Sequence, residues 1–204
     1  MPLKIIHHHH TEVMGSGRVL LSSPHVESSR RDLQTRQIVE EAALLSKSWA
    51  IIAKEGKQPQ EEDKARLEES DFDKSVQALV GENGIKCILM ISGMDEAGIA
   101  IKSHQNDSES GEILEIIRSG FEPHFTINPN AEPAGHRVAS SLVNNQETIN
   151  SSNHPVQIIQ LELGPDERGF QKDHIVSVMA DIVGLINGKL GFLESDQRGS
   201  RVLD

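Results

Sequence analysis

Apolar residues follow two rhythms along this chain: short unbroken runs, and stripes recurring every three or four positions. Unbroken runs fit strands covered on both faces, and stripes fit helices with one buried side. Val19-Leu20-Leu21-Ser22 reads as a short buried strand. Residues 32–46 read as a helix, with Ile38, Val39, Ala42 and Leu45 inside and Glu40 and Glu41 on the wet side. A second apolar run covers 49–53, and the densely charged stretch 56–69 reads as an exposed excursion or a polar helix. A helix is predicted over 71–80, stopped by Gly81 and Gly84. Residues 86–92 (Lys-Cys-Ile-Leu-Met-Ile-Ser) give the clearest strand pattern, and 98–102 a shorter one. Residues 110–119 form a helical pattern with Ile113, Leu114, Ile116 and Ile117 inside, ended by Gly120. A strand is expected over 121–127, leading into a polar loop that holds Pro129, Pro133, Gly135 and His136. Residues 144–154, rich in Asn and Ser, read as a surface loop. Residues 156–163 are the last strand, and 173–186 a closing helix whose stripe is Ile175, Met179, Ile182, Val183 and Ile186, with Gly188 beyond its end.

Strands alternating with helices predict an α/β fold: three layers, α/β/α, around a largely parallel mixed sheet of the phosphorylase/hydrolase-like kind. The domain is expected over residues 18–190. Residues 1–17 hold His7 to His10 and a flexible Gly15-Ser16-Gly17, and read as a disordered arm or an expression scar. A short His tract binds metals weakly unless a scaffold fixes it. Residues 191–204 read as a frayed polar tail.

Composition narrows the function. A length of 204 residues suggests one domain, and only 3% are aromatic, so the core is aliphatic. The net charge of −11 argues against nucleic acid or an anionic membrane as partner. No apolar stretch is long enough for a membrane span, and the start is too short and too polar for a signal peptide. The single Cys excludes an internal disulfide and a thiolate metal cluster. Together these features predict a cytoplasmic protein with a small-molecule substrate.

In α/β folds, polar groups at the carboxyl ends of strands converge on one crevice. His25, Ser92, His104, Asn128 and Glu162 each lie at or just after a predicted strand end. His25, in Ser23-Pro24-His25, is a candidate metal ligand, or a helix cap. Glu162, a lone acid in Ile-Gln-Leu-Glu-Leu, is a candidate general base, or the partner of Arg168 or Arg137, because a buried acid needs compensation. Asp32 suits a helix N-terminus equally well. His124 falls within a predicted strand, and His136, His154 and His174 read as surface residues. Cys87 reads as a small core side chain. Ser92-Gly93 lacks the Gly-x-Ser-x-Gly elbow of serine hydrolases.

Four blocks resemble the N-formylglutamate amidohydrolase-like hydrolases, relatives in fold of zinc carboxypeptidases. They are Ser23-Pro24-His25 with Asp32-Leu33-Gln34-Thr35, then Ile91-Ser92-Gly93-Met94 with Gly98-Ile99-Ala100-Ile101, then Gly120-Phe121 with Thr126-Ile127-Asn128, and last residues 156–163 with Arg168. They run from about residue 18 to 188, and their order and spacing are more specific than any one of them. The resemblance implies zinc held by His25 and Asp32, with Glu162 as the base that activates the metal-bound water. Arg168 then holds a substrate carboxylate, and Asn128 and Arg137 are substrate-binding. The reaction implied is hydrolysis of a C–N amide bond in a small acidic or acylated amino-acid derivative.

One block departs from the pattern. The family's second His ligand falls on Ser92, and the acid before it on Met90. A neutral hydroxyl is a poor zinc donor beside imidazole or carboxylate. Three outcomes follow: a catalytically silent relative that binds a ligand or a protein partner in the same crevice, a site in which His104 or His124 replaces the missing ligand, or a changed chemistry.

Overall fold

The computed structural model describes residues 3–8, 10–24, 34–54, 71–105, 107–129 and 156–199; in α2 the side chain of residue 71, and in the last helix those beyond 191, lie outside that description. Seven strands form one sheet, in the order β1-β2-β4-β3-β5-β7-β6. They are β1 Lys4–Ile6, β2 His10–Val13, β3 Val19–Ser23, β4 Trp49–Ala53, β5 Cys87–Gly93, β6 Ile99–Ser103 and β7 Gln157–Leu163. The four central strands β4, β3, β5 and β7 run parallel. β1 and β2 at one edge and β6 at the other are joined antiparallel. β3 and β7 are buried along their whole length, as their unbroken apolar runs require.

Among the described residues, five helices accompany the sheet: α1 Thr35–Ser46, α2 Asp71–Asn83, α3 Ser108–Phe121, α4 Pro165–Arg168 and α5 Lys172–Gly199. α1, α3 and α5 bury Ile38, Val39, Ile113, Ile117, Met179 and Val183 against one face of the sheet, with Leu21, Leu89 and Leu161. α2 lays Phe72, Val76, Leu79 and Val80 on the other face, against Leu20, Ile51, Ile88 and Met90. The expected α/β/α sandwich is therefore present. No helix among the described residues is long and apolar enough to cross a membrane.

Both ends of the chain differ from expectation. Residues 1–17 were expected to be a disordered arm or an expression scar; disorder does not hold, since Lys4–Ile6 and His10–Val13 are sheet strands. Thr11 pairs with Ile52 and Val13 with Ala50, so alternate side chains of β2 enter the core. At the other end Gly188 does not stop the closing helix, which runs on to Gly199 through the expected tail. A glycine in a helix interior is tolerated at a cost of about 1 kcal/mol.

The strand expected over 121–127 is instead the last residue of α3 and a turn, in which the N–H groups of His124 and Phe125 both donate to the Phe121 carbonyl. Only Ile127 makes a bridge, to Ile99. Gly120 does not end α3 but lets it approach α5: a Cβ there would lie 2.7 Å from Ile182 Cδ1. Leu45, expected inside α1, is exposed, and Ala43 is buried in its place. Asn187 of α5 reaches the sheet, accepting the Arg18 N–H at 2.6 Å and donating to Ser48 Oγ at 3.4 Å.

Candidate active site

The carboxyl ends of β3, β5 and β7 lie side by side. Ser92 pairs with Glu162 and Met90 with Gln160, while Ser22 pairs with Met90 on the opposite side. Side chains of paired residues share a face, and their strands are about 4.8 Å apart. Ser92 and Glu162 therefore stand together on the face that α2 covers lower down. Both are buried, with exposures of 2% and 5%. Continuing the β3–β5 register places Pro24 level with Ser92.

Glu162 is held from below. Two residues back on the same face, Gln160 Nε2 donates to Glu162 Oε1 at 3.0 Å. Gln160 Oε1 then lies 3.3 Å from His104 Nε2. An ionised carboxylate only accepts, so the amide must turn its NH₂ to Glu162 and its oxygen to His104. His104 must in turn donate, which assigns its proton to Nε2. His104 follows β6, and its backbone N–H bonds the Ile158 carbonyl at 3.0 Å. A line of polar groups thus runs along β7 beneath the Ser92–Glu162 pair.

Arg168 sits at the same end of the sheet. Its Nε donates to the Gly164 carbonyl at 3.2 Å and its Nη2 to the Met94 carbonyl at 3.0 Å. The guanidinium therefore ties the turn after β7 to the turn after β5, and it is only 4% exposed. Its neighbour Glu167 is also buried and accepts the Gly98 N–H at 3.3 Å. Gly98 has φ +90°, and a Cβ there would meet the Thr126 carbonyl at 2.6 Å, so this turn suits glycine alone. Asn128 donates its backbone N–H to Ile99 at 2.8 Å, and Ile99 pairs with Leu163. Glu162, Ser92, Arg168 and Asn128 are thereby gathered at one end of the sheet. His25, Asp32 and Arg137 lie outside the described residues, as do His136 and His154.

Neither candidate replacement for the missing ligand joins the Ser92–Glu162 pair. His124 is exposed in the turn after α3, its ring 4.8 Å from that of His174 on α5, on the opposite side of the sheet. It was expected inside a strand. His104 spends Nε2 on Gln160, one step below Glu162. The described residues bring a carboxylate and a hydroxyl to this end of the sheet, and a neutral hydroxyl is a poor zinc donor. They fit a zinc site only in part, and zinc here would depend on His25 and Asp32.

Two features escaped the sequence reading. The link from His104 through Gln160 depends on the pairing of β6 with β7, although Gln160 and Glu162 at i and i+2 already implied a shared face. Among the described residues, the group that brings three metal-binding side chains together is His7, His10 and Glu12, on β2 and the turn before it.

No protein-family model matches the chain, and no curated protein matches it. Solved structures do share its fold. A bacteriophage poly-gamma-glutamate hydrolase superposes with a TM-score of 0.57 at 10% identity, over 93% of each chain. A gene product of Agrobacterium tumefaciens gives 0.56 at 11% identity, over 90% of this chain and 96% of that one. A metallo-carboxypeptidase from Pseudomonas aeruginosa gives 0.51 at 10% identity, over 89% of this chain and 60% of that one. At these identities the likeness is one of fold. The α/β/α architecture around a largely parallel mixed sheet expected from the sequence is the one observed.

Proposed function

We propose that this chain hydrolyses a C–N amide bond in a small acidic or acylated amino-acid derivative, in the manner of N-formylglutamate amidohydrolase-like enzymes. The observation that carries the reading is the buried carboxylate of Glu162, paired in register with Ser92 at the carboxyl ends of parallel strands. An acid kept there at the cost of desolvation is placed for chemistry rather than solubility. The shared fold supports the reading, since one neighbour is a hydrolase of poly-gamma-glutamate and another a metallo-carboxypeptidase.

In this reading Glu162 takes the proton of the attacking water and returns it to the departing amine nitrogen. Gln160 fixes the carboxylate by holding Oε1 with a neutral donor. Arg168 braces the two turns that frame the crevice and carries its positive charge there to attract a substrate carboxylate. Asn128 and Arg137 contribute substrate contacts. His25 and Asp32 would hold zinc, which would activate the attacking water for Glu162.

Ser92 supports a second reading, a catalytically silent relative that binds its ligand or a protein partner in the same crevice. Zinc content and turnover on N-acylated acidic amino acids separate the two. The enzyme reading expects hydrolysis that His25→Ala abolishes together with the crevice zinc. Absence of turnover in zinc-supplemented buffer rejects it in favour of the silent relative.

A further inference from the structure

We infer that His7, His10 and Glu12 form a second site for a divalent cation of the zinc class, on the β1–β2 hairpin and apart from the crevice. The argument starts from the pairing. The hairpin closes where the His7 N–H donates to the His10 carbonyl at 3.0 Å, so the two histidines stand opposite each other. Their rings stack, with centroids 4.3 Å apart and planes 17° from parallel. Glu12 lies two residues beyond His10 and so shares its face. The tract that would bind metal weakly as a loose arm is here fixed by a scaffold.

The donor atoms already converge. His7 Nε2 is 3.3 Å from Glu12 Oε1, and His10 Nε2 is 2.8 Å from the same oxygen. All three ligand atoms fall within 4.8 Å of one another. Tetrahedral zinc, with bonds of about 2.0–2.1 Å, needs its donors about 3.3 Å apart. Both separations are within about 0.5 Å of that spacing. His10 is held in place: it is 5% exposed and meets the edge of Phe72 from α2 at 6.5 Å. No described residue bonds its Nδ1, and its Nε2 faces Glu12. Two imidazoles and a carboxylate, with a water in the fourth position, make a common zinc donor set.

This site is not the crevice. β2 and β7 are four strand steps apart in the sheet, or about 19 Å at about 4.8 Å per step. Its role is local: it joins the turn that leaves β1, whose one strand neighbour is β2, to a residue packed against α2.

The test titrates zinc into the full chain against a chromophoric chelator, with His25→Ala present so that the crevice contributes no metal. One zinc per chain is expected. His7→Asn, at an exposed position, and Glu12→Gln should each weaken it more than about tenfold, with unchanged circular dichroism. The double variant His8→Asn/His9→Asn should bind as before. The assignment is overturned if no saturable binding occurs, if either single variant binds as tightly as the parent, or if the double variant loses the metal. Cobalt(II) absorption, present in the parent and lost in His7→Asn, gives an independent reading of the same ligands.

Discussion

Gln160 donates its side-chain amide to Glu162 across 3.0 Å, two residues apart on one face of β7. Its oxygen meets His104 at 3.3 Å, so a neutral amide links an imidazole to a buried acid. Such an arrangement orients the carboxylate without neutralising it. If Glu162 is the proton acceptor, Glu162→Gln lowers amide-hydrolysis turnover by about 10²- to 10⁴-fold. Steady-state kinetics on an N-acylated acidic amino acid, alongside a melting curve, checks this. Retained activity would assign Glu162 a structural role.

Ser92→His restores an imidazole where the resemblance expects one. Ser92 is buried beside Glu162, so the larger ring should cost stability on the order of 1–3 kcal/mol. Zinc per chain, counted with the hairpin site removed by His7→Asn, should nevertheless rise if the crevice lost its metal by this substitution. Unchanged zinc content would mean that the crevice does not depend on a ligand at this position.

Acid should loosen the start of α3. Asp107 caps that helix, accepting the Ser110 N–H at 2.7 Å and its hydroxyl at 2.8 Å. Burial pushes its pKa up, but the bonds from Ser110 and Gln157 outweigh that and hold it below the ordinary carboxylate value. A carboxylate depressed in the folded state stabilises above its unfolded pKa, and the benefit disappears as pH falls through the folded pKa. Asp107→Ala should cost about 0.5–2 kcal/mol near neutral pH and less below the folded pKa. Chemical denaturation at several pH values checks the convergence, and a pH-independent difference would contradict it.

Cys87 should be inert in the folded protein. Burial, with a smaller contribution from Glu109, pushes its thiol far above the ordinary range. The thiolate is the reactive form. A chromogenic disulfide reagent should label it only at the rate of unfolding, and rapid labelling in native buffer would refute this.

The central strands were legible because each is an apolar run that only a doubly covered position explains. Glu162 stood out for the same reason, as the lone acid within such a run. β1 and β2 were missed because Lys4–Ile6 is short and His10–Val13 (His-Thr-Glu-Val) has a single apolar residue behind a His tract. Their identity as strands comes from pairing, β2 with the distant β4 and β1 with β2, which local pattern does not reveal. Phe121 and Phe125 suggested a strand, yet they sit four apart, and their rings meet edge to face at 5.9 Å across a helix end. The partnership of His104 with Gln160 required knowing that β6 runs antiparallel to β7, a matter of long-range register that local pattern does not carry.

Asn187 bonds to Arg18 from a helix 169 positions downstream. During translation, therefore, the strands of the first half emerge well before the helix that seals one side of them. A nascent chain would present the oily flank formed by Leu21 and Leu89 to the cellular milieu throughout that interval. Chaperone dependence and slow refolding are the natural price of such late closure.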